Sequence, residues 1–201
     1  MNRIAINGAQ SGRRSYLSQA FSAMTGMDYI VSTPYSIIAY QYKLDMDIAK
    51  CQWPDSFVYC MGAFTKKVMI EQSYHDTFIS DGGVFNELNW IKCRYPNMEP
   101  IYERAMIESL EKVVMSYASN EYDYIFHIDP KDPLDVIDLC LKKLYNQYHL
   151  KHHIIDGTNG EEALERMLEY LQVKPILSAK HALLKFADEI LINEDTHENS
   201  H

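Results

Sequence analysis

The sequence predicts an α/β fold with a five-stranded, mostly parallel sheet and helices on both faces. Two observations favour this fold class. Short apolar runs alternate along the chain with longer segments whose apolar residues recur at helical spacing. No internal repeat and no low-complexity linker interrupts this alternation over the 201 residues. Strand–helix alternation is typical of parallel sheets, because each connection between parallel strands has to cross one face of the sheet.

The predicted strands are short apolar runs that end at polar or turn-forming residues. In chain order they are Arg3–Asn7, Asp28–Ser32, Asp76–Ser80, Tyr122–Ile128 and Lys151–Asp156. The fourth run, YDYIFHI, carries the clearest strand pattern because aromatic and β-branched residues dominate it. A later apolar run, Glu189–Ile192, is a candidate edge strand.

The predicted helices lie between these strands and show apolar residues at helical spacing. In chain order they are Ser15–Met24, Tyr35 to about Lys50, Phe57–His75, a helix that follows the turn Asp81–Gly83 and runs through Arg94, Ile101–Ala118, Pro133–Tyr148, Gly160–Leu171 and Ser178–Ala187. Proline separates neighbouring helices at Pro54, Pro96 and Pro100. Thr158 or Asn159 is expected to cap the helix that starts at Gly160. Glu71, His75 and Asp76 are expected to lie on a solvated face.

Composition restricts the class of protein. The length predicts one domain, residues 1–193, followed by a polar tail, residues 194–201. A formal net charge of −9 argues against general nucleic-acid binding, which needs surplus lysine and arginine. No apolar run is long enough for a membrane span and no secretory signal opens the chain, so no membrane partner is expected. The scattered cysteines contain no C-x-x-C pair, which favours reduced thiols and a cytoplasmic protein.

The segment Gly8–Ser15 stands where a phosphate-binding loop would stand, between the first strand and the first helix. Its sequence, GAQSGRRS, is compared with the motif G-x-x-x-x-G-K-[ST]. Gly8 fills the first glycine of the motif and Ser15 fills the final hydroxyl position. Arg13 stands at the second glycine and Arg14 at the lysine. The segment therefore predicts a phosphate-binding loop with a degenerate Walker A sequence.

Other interpretations of this loop stay open. A shifted register makes Asn7, Gly12 and Arg13 the Gly, Gly and Lys of the motif, but then Arg14 replaces the hydroxyl residue. The first register is preferred because it also keeps Ser15 in place. Within it, Gly12 is expected to supply the positive φ that a residue with a Cβ, such as Arg13, resists. The alternative without a ligand is an ordinary strand–turn–helix with two solvated arginines.

With these elements in place, the chain resembles the P-loop nucleoside and nucleotide kinases, and among them the NadR-like branch typified by the nicotinamide riboside kinase domain. Gly8–Ser15 corresponds to the phosphate-binding loop. Thr77–Val84 is similar to the family's strand that ends in Asp-Arg and leads into a helix. His153–Arg166 is similar to the closing strand, its Asp-Gly-Ser or Asp-Gly-Thr turn and the following helix with an acidic first turn. The resemblance implies a three-layer P-loop NTPase fold.

The resemblance also implies a nucleotide site that takes ATP with Mg²⁺. The residues expected to bind the nucleotide or its phosphates are Gly8, Gln10, Ser11, Gly12, Arg13, Arg14, Ser15, Asp156 and Gly157. The hydroxyl of Ser15 is expected to hold Mg²⁺, and Arg14 is expected to act catalytically by placing its charge on the phosphates. A guanidinium is nevertheless not equivalent to the lysine point charge. Asp156 and Gly157 would face the adenine, although a plain turn capped by Thr158 explains them equally well.

On the acceptor side, the resemblance makes Asp81 the candidate general base for the acceptor hydroxyl. Capping of the next helix is the equally weighted alternative. Two departures from the family concern catalysis. Gly82 stands where the family has an arginine, and the expected lid, His127–Pro133, contains Lys131 as its one cation and no arginine.

Two functions from different classes follow. The first is a small-molecule kinase that transfers the γ-phosphoryl group of ATP to a nucleoside, nucleotide or related hydroxyl. Its partners would be a nucleoside triphosphate and a small-molecule acceptor, and a homo-oligomer is compatible with the sequence. The second is a catalytically impaired P-loop pseudokinase that acts as a nucleotide-binding or protein-interaction module. A slow nucleotide hydrolase would share the same pocket.

Overall fold

A five-stranded parallel sheet forms the centre of the molecule. The computed structural model describes residues 2–8, 11–32, 35–47, 50–74, 76–99, 101–129 and 135–186. The strands are β1 (Asn2–Asn7), β2 (Asp28–Ile30), β3 (Thr77–Asp81), β4 (Tyr124–Asp129) and β5 (His153–Asp156). Their order across the sheet is β2-β3-β1-β4-β5, and every neighbouring pair is parallel. The predicted α/β fold class, with helices on both faces of the sheet, is confirmed.

Seven helices connect and cover the strands in the described residues. They are α1 (Ser11–Thr25), α2 (Tyr35–Tyr42), α3 (Asp55–Ser73), α4 (Asn86–Arg94), α5 (Ile101–Glu121), α6 (Val136–Gln147) and α7 (Gly160–Leu171). Residues 179–186 are also helical. Helices α1 and α7 pack on one face of the sheet, and α3, α4, α5 and α6 pack on the other.

The buried strand residues explain why both faces are covered. Ile4 and Ile6 of β1 belong to the cluster under α1 and α7, whereas Ala5 between them belongs to the opposite cluster. All three are fully buried. Successive residues of a strand point to opposite faces, so a strand that is apolar at every position needs helices on both sides.

The strand order places a ligand crevice at the end of β1. The chain passes from β1 to β2 at one edge and returns through β3. It then crosses to β4 on the other side of β1. In open parallel sheets, ligands bind outside the carboxyl ends of the strands where the strand order reverses in this way. The residues that follow β1, β3, β4 and β5 are therefore those that can form a site.

Helix α2 is shorter than the sequence indicates. It ends at Tyr42, and the prediction of a helix to about Lys50 was wrong. Lys43 has φ 56°, in the left-handed region that ends a helix, and the amide of Leu44 donates to the carbonyl of Ala39 at 2.9 Å. Helical spacing of apolar residues therefore continued past the point at which the backbone turns.

The other helix and strand ends lie within a few residues of their predicted positions. Helix α7 has the predicted bounds, and Asn159 caps it by accepting hydrogen bonds from the amides of Glu161 and Glu162 at 3.0 and 3.4 Å. The candidate edge strand Glu189–Ile192 and the predicted tail, residues 194–201, lie outside the described residues. Across the residues that are described, no helix has both the length and the apolar character that crossing a bilayer requires.

Candidate functional site

The segment between β1 and α1 is shorter than the motif predicts. Helix α1 begins at Ser11 and not at Ser15, so Gly12, Arg13 and Arg14 lie in its first turn. Arginine is a good helix former, whereas the second glycine of an intact motif keeps that position free of a Cβ. The expectation of a positive φ at Gly12 was wrong, because this residue is helical.

The conformational freedom of glycine is used at Gly8 instead. Gly8 has φ 145°, and a Cβ at this position would lie 2.6 Å from the carbonyl oxygen of Ile128. The loop therefore leaves β1 in close contact with the end of β4. Gln10 lies outside the described residues. The amide groups at the start of α1 have no partners within the helix, and they place partial positive charge at the crevice.

Arg14 and Asp81 form a buried ion pair on the β3 side of this helix start. The Nε of Arg14 donates to Oδ1 of Asp81 at 2.6 Å. The side chains of Arg14 and Asp81 are 6% and 1% exposed. The arginine at the lysine position of the motif therefore contacts the carboxylate that ends β3, which brings two predicted catalytic residues together.

Asp81 accepts further hydrogen bonds at its other oxygen. Ser15 Oγ donates to Oδ2 at 2.5 Å, and the hydroxyl of Tyr29 donates to the same atom at 3.2 Å. The predicted metal-binding serine is thus in direct contact with the predicted catalytic carboxylate. Burial and the charge of Asp81 both raise the pKa of Tyr29, which keeps the phenol protonated and able to donate.

The two Nη atoms of Arg14 donate hydrogen bonds to residues of three other segments. Nη1 donates to the carbonyl of Gly8 at 3.1 Å and to Oδ1 of Asn86 at 3.2 Å, and Nη2 donates to Oγ of Ser32 at 3.3 Å. One guanidinium therefore joins the loop after β1, the segment after β2 and the first residue of α4.

Lys67 lies behind this network and was missed by the sequence analysis. Its Nζ donates to the carbonyls of Val31 at 3.0 Å and Asp81 at 3.2 Å, at the ends of β2 and β3. The residue is 2% exposed, and this burial lowers the pKa of Lys67. Glu71, one helical turn later, is 1% exposed, so its predicted place on a solvated face was wrong. The four-residue spacing of Lys67 and Glu71, which makes oppositely charged side chains neighbours on a helix, was the sequence pattern that could have indicated this pair.

Gly82, which stands where the kinases that the sequence resembles are expected to have an arginine, adopts a conformation suited to glycine. Gly82 has φ 73° and Gly83 has φ 51°, so both lie in the left-handed region. A Cβ on Gly82 would lie 2.0 Å from Nδ2 of Asn86. The backbone after Asp81 therefore disfavours any larger residue at this position.

Arg13 lies on the opposite side of the helix start, towards β4 and β5. A Cβ on Gly157 would lie 3.5 Å from Nε of Arg13. The carboxylate of Asp156 accepts a hydrogen bond from the amide of Thr158 at 2.8 Å. A hydrogen bond from the side chain of Thr158 lowers the pKa of Asp156 most, and this amide bond and the charge of Arg13 lower it further. Among the described nucleotide residues, Arg14 and Ser15 therefore lie at Asp81, and Arg13 lies beside Asp156 and Gly157.

A second charged cluster ends β4. The buried ring of His127 bonds through Nε2 to Oδ1 of Asp138, and Lys142 contacts the carboxylates of both Asp138 and Asp129. His127, Asp129 and Asp138 have ligand atoms within 4.8 Å of one another, but the ammonium of Lys142 already supplies positive charge there. Lys131, the cation predicted in the lid, lies outside the described residues. Lys142 was not foreseen as a cation at this edge.

Three solved structures share the fold of this chain. The deoxyadenosine kinase from M. mycoides with bound dATP has a TM-score of 0.60 and 15% identity, over 86% of this chain and 100% of its own. The YorR protein from Bacillus subtilis, in complex with phosphorylated GDP, has a TM-score of 0.54 and 10% identity, over 85% and 96%. The shikimate kinase from Bacteroides thetaiotaomicron has a TM-score of 0.50 and 12% identity, over 86% and 99%.

These similarities establish the fold, a P-loop kinase-like α/β arrangement. No protein-family model and no curated protein matches the sequence. At identities of 10–15%, activity does not transfer with the fold. The functional conclusion therefore has to rest on the residues at the carboxyl ends of the strands.

Proposed function

We propose that this protein is a small-molecule kinase that transfers the γ-phosphoryl group of ATP to a nucleoside, nucleotide or related hydroxyl. The observation that carries the proposal is the contact between Ser15 Oγ and Asp81 Oδ2 at 2.5 Å, beside the start of α1. A hydroxyl from the phosphate-binding loop and an acidic residue from a neighbouring strand are the metal-binding pair of P-loop enzymes. The kinase-like fold supports this assignment.

The oxygens at this position fit Mg²⁺, which prefers carboxylate, hydroxyl and phosphate ligands. Ser15 and Asp81 would hold the ion, and a bound Mg²⁺ would neutralise charge on the β- and γ-phosphates. The phosphates themselves would lie at the amino end of α1, where unpaired amides and the helix dipole favour anions. Ser11 and Gly12 would contribute through their backbone amides.

The role of Asp81 is restricted by its present partners. Arg14, Ser15 and Tyr29 already donate to its two oxygens. For Asp81 to accept a proton from an acceptor hydroxyl, one of these donors has to leave. We therefore assign Asp81 first to metal binding. General-base catalysis is a second role, which requires that one of these donors moves away. Arg14 would contact the phosphates once its ion pair with Asp81 has separated.

The kinase branch and the cellular location that we propose for this protein rest on the sequence alone. Membership of the NadR-like branch rests on the three stretches Gly8–Ser15, Thr77–Val84 and His153–Arg166. A cytoplasmic location rests on the four scattered cysteines, which favour reduced thiols.

A second candidate function is a P-loop pseudokinase that binds a nucleotide without transferring its phosphate. The observation that favours it is the buried Arg14–Asp81 ion pair, which occupies both residues on which catalysis depends. Helical geometry from Ser11 onward also shortens the phosphate-binding loop. In this function the ion pair is a permanent structural link.

Two measurements on the purified protein separate these functions. Calorimetric titration with ATP, with and without Mg²⁺, tests binding in the wild type, in Ser15→Ala and in Ser109→Ala as an exposed control. Kinase function predicts Mg²⁺-dependent binding that Ser15→Ala weakens and Ser109→Ala leaves unchanged. Phosphoryl transfer to a panel of nucleosides and nucleotides is then compared between wild type and Asp81→Asn. Binding without transfer above the Asp81→Asn level would favour the pseudokinase.

A further inference from the structure

Two consecutive arginines at the start of α1 have different surroundings. Neighbouring residues of a helix point about 100° apart around its axis, so Arg13 and Arg14 face different walls of the crevice. The Arg14 side chain is 6% exposed and makes four hydrogen bonds, to Asp81 of β3 and to residues that follow β1, β2 and β3. Arg13 is only partly buried and lies towards the ends of β4 and β5. The two arginines therefore contact different parts of the crevice.

Arg13 lies against Gly157, in the turn after β5. Gly157 is buried, and a Cβ there would lie 2.6 Å from Cγ2 of Ile128 and 3.2 Å from the carbonyl of Asp129. The missing side chain lets the turn after β5 approach the end of β4. The Nε of Arg13 lies at contact distance, 3.5 Å, from the same Cβ position. The guanidinium thus rests beside the backbone of Gly157, with the nearby charge of Asp156 attracting it.

We propose that Arg13 is a nucleobase platform, whose planar guanidinium stacks on the base of a bound nucleotide. This inference rests on the proposed function, because it takes the ligand to be a triphosphate whose phosphates lie at the start of α1. Arginine stacks on aromatic faces, and every nucleobase offers such a face. The ligand class is therefore a nucleotide with a planar base, as distinct from a bare polyphosphate.

The charges around Arg13 favour a base over a phosphate at this position. Asp156 lies beside Arg13, and Asp129 ends the adjacent strand. Their carboxylates disfavour a second anion, whereas a neutral base meets no such repulsion. The amino end of α1 remains the place for the phosphates. Arg13 would then contribute to nucleotide affinity through contact with the base.

The test compares Mg-ATP with Mg-tripolyphosphate, which carries the phosphates without a base. Affinities are measured by calorimetry for wild type, Arg13→Ala, Arg13→Lys and Arg166→Ala. Arg13→Ala is expected to weaken ATP binding about tenfold and to leave tripolyphosphate binding unchanged. Arg13→Lys is expected to behave as Arg13→Ala, because a lysine keeps the charge but has no planar group to stack. Arg166, an exposed arginine on α7, provides the matched control.

The possible failures are distinguishable. If Arg13→Ala weakens both ligands equally and Arg13→Lys restores them, Arg13 binds phosphate and the platform is overturned. The platform is also overturned if Arg13→Ala changes neither affinity while the wild type binds ATP. If the wild type binds neither ATP nor tripolyphosphate, the proposed function itself fails. Thermal melts of each variant check that the fold is retained.

Discussion

The guanidinium of Arg14 and the carboxylate of Asp81 form an ion pair that is almost completely buried, with Nε and Oδ1 2.6 Å apart. The pair joins the first turn of α1 to the end of β3 across the crevice. Two opposite charges in a buried site depend on each other, since neither can be solvated by water when its partner is removed. The pair is therefore both part of the candidate site and part of the fold.

Replacing Arg14 alone is expected to destabilise the protein strongly. Arg14→Met leaves the charge of Asp81 buried without its partner, and loss of one member of a buried pair costs about 3–5 kcal/mol. Urea denaturation at neutral pH measures this change in the free energy of unfolding. Arg166→Met, on the surface of α7, is the control and is expected to change stability by less than about 0.5 kcal/mol.

The double variant Arg14→Met/Asp81→Asn distinguishes the cost of an unpaired buried charge from the cost of losing the arginine side chain itself. Because it removes both charges, it is expected to recover most of the stability that Arg14→Met loses. A double variant that is as unstable as the sum of its two single variants would contradict mutual dependence of the pair.

Placing an arginine directly after Asp81, as in the kinases that the sequence resembles, is expected to destabilise the protein. Gly82 has φ 73°, and a Cβ would lie 2.0 Å from Nδ2 of Asn86. Gly82→Arg is therefore expected to lower the free energy of unfolding by at least about 1 kcal/mol, from left-handed backbone strain alone. Urea denaturation measures the effect, with Ser109→Arg as a control that adds an arginine to an exposed helix position. Unchanged stability together with faster phosphoryl transfer would show that this turn accommodates the family residue.

The fold and part of the site could be predicted because they depend on local patterns. Alternating apolar runs indicated all five strands, and the comparison with the motif singled out Ser15, which contacts Asp81. The early start of α1 was missed because a motif comparison does not weigh the helix-forming tendency of Arg13 and Arg14 against the loop geometry. Local propensity prevailed over the motif at this point.

The buried polar contacts could not be predicted from the sequence. Glu71 was expected on a solvated face, yet it is buried because the hydroxyls of Tyr117 and Tyr122 from distant segments bind its carboxylate. These two contacts join residues 46 and 51 positions apart along the chain, and no local sequence pattern records such tertiary packing. The different environments of Arg13 and Arg14 have the same cause, since they follow from which strands lie on each side of α1.

Glu71 is expected to be a major contributor to stability. Its carboxylate accepts hydrogen bonds from the hydroxyls of Ser80, Tyr117 and Tyr122, and burial raises the pKa of Glu71. Glu71→Ala leaves these hydroxyls without their acceptor and removes a charge that attracts the ammonium of Lys67, so a loss of about 3 kcal/mol in the free energy of unfolding is expected. Glu71→Gln keeps an acceptor oxygen and is expected to lose less. Equal losses in the two variants, measured by urea denaturation, would show that the hydrogen bonds contribute little.

The His127–Asp138 contact is expected to make stability depend on pH. Burial lowers the pKa of His127 from its ordinary value of 6.5, and the neighbouring charge of Asp138 opposes part of this shift. Lys142, Asp129 and the ring of Tyr145 complete the surroundings of the imidazole. As the pH falls below 6.5, the unfolded chain binds a proton that the folded chain does not yet bind, so stability falls until the lowered pKa is reached.

One such group gives a slope of at most about 1.4 kcal/mol per pH unit. His127→Gln removes the titrating group, so the free energy of unfolding of this variant is expected to fall less than that of the wild type between about pH 6.5 and 5.5. Urea denaturation at several pH values measures both slopes. His181→Gln, at an exposed position, is the matched control and is expected to retain the wild-type slope. His153, whose pKa burial also lowers, contributes equally to all three proteins and therefore cancels in the comparison. Identical slopes in wild type and His127→Gln would mean that the buried imidazole gains its proton as readily in the folded chain as in the unfolded one.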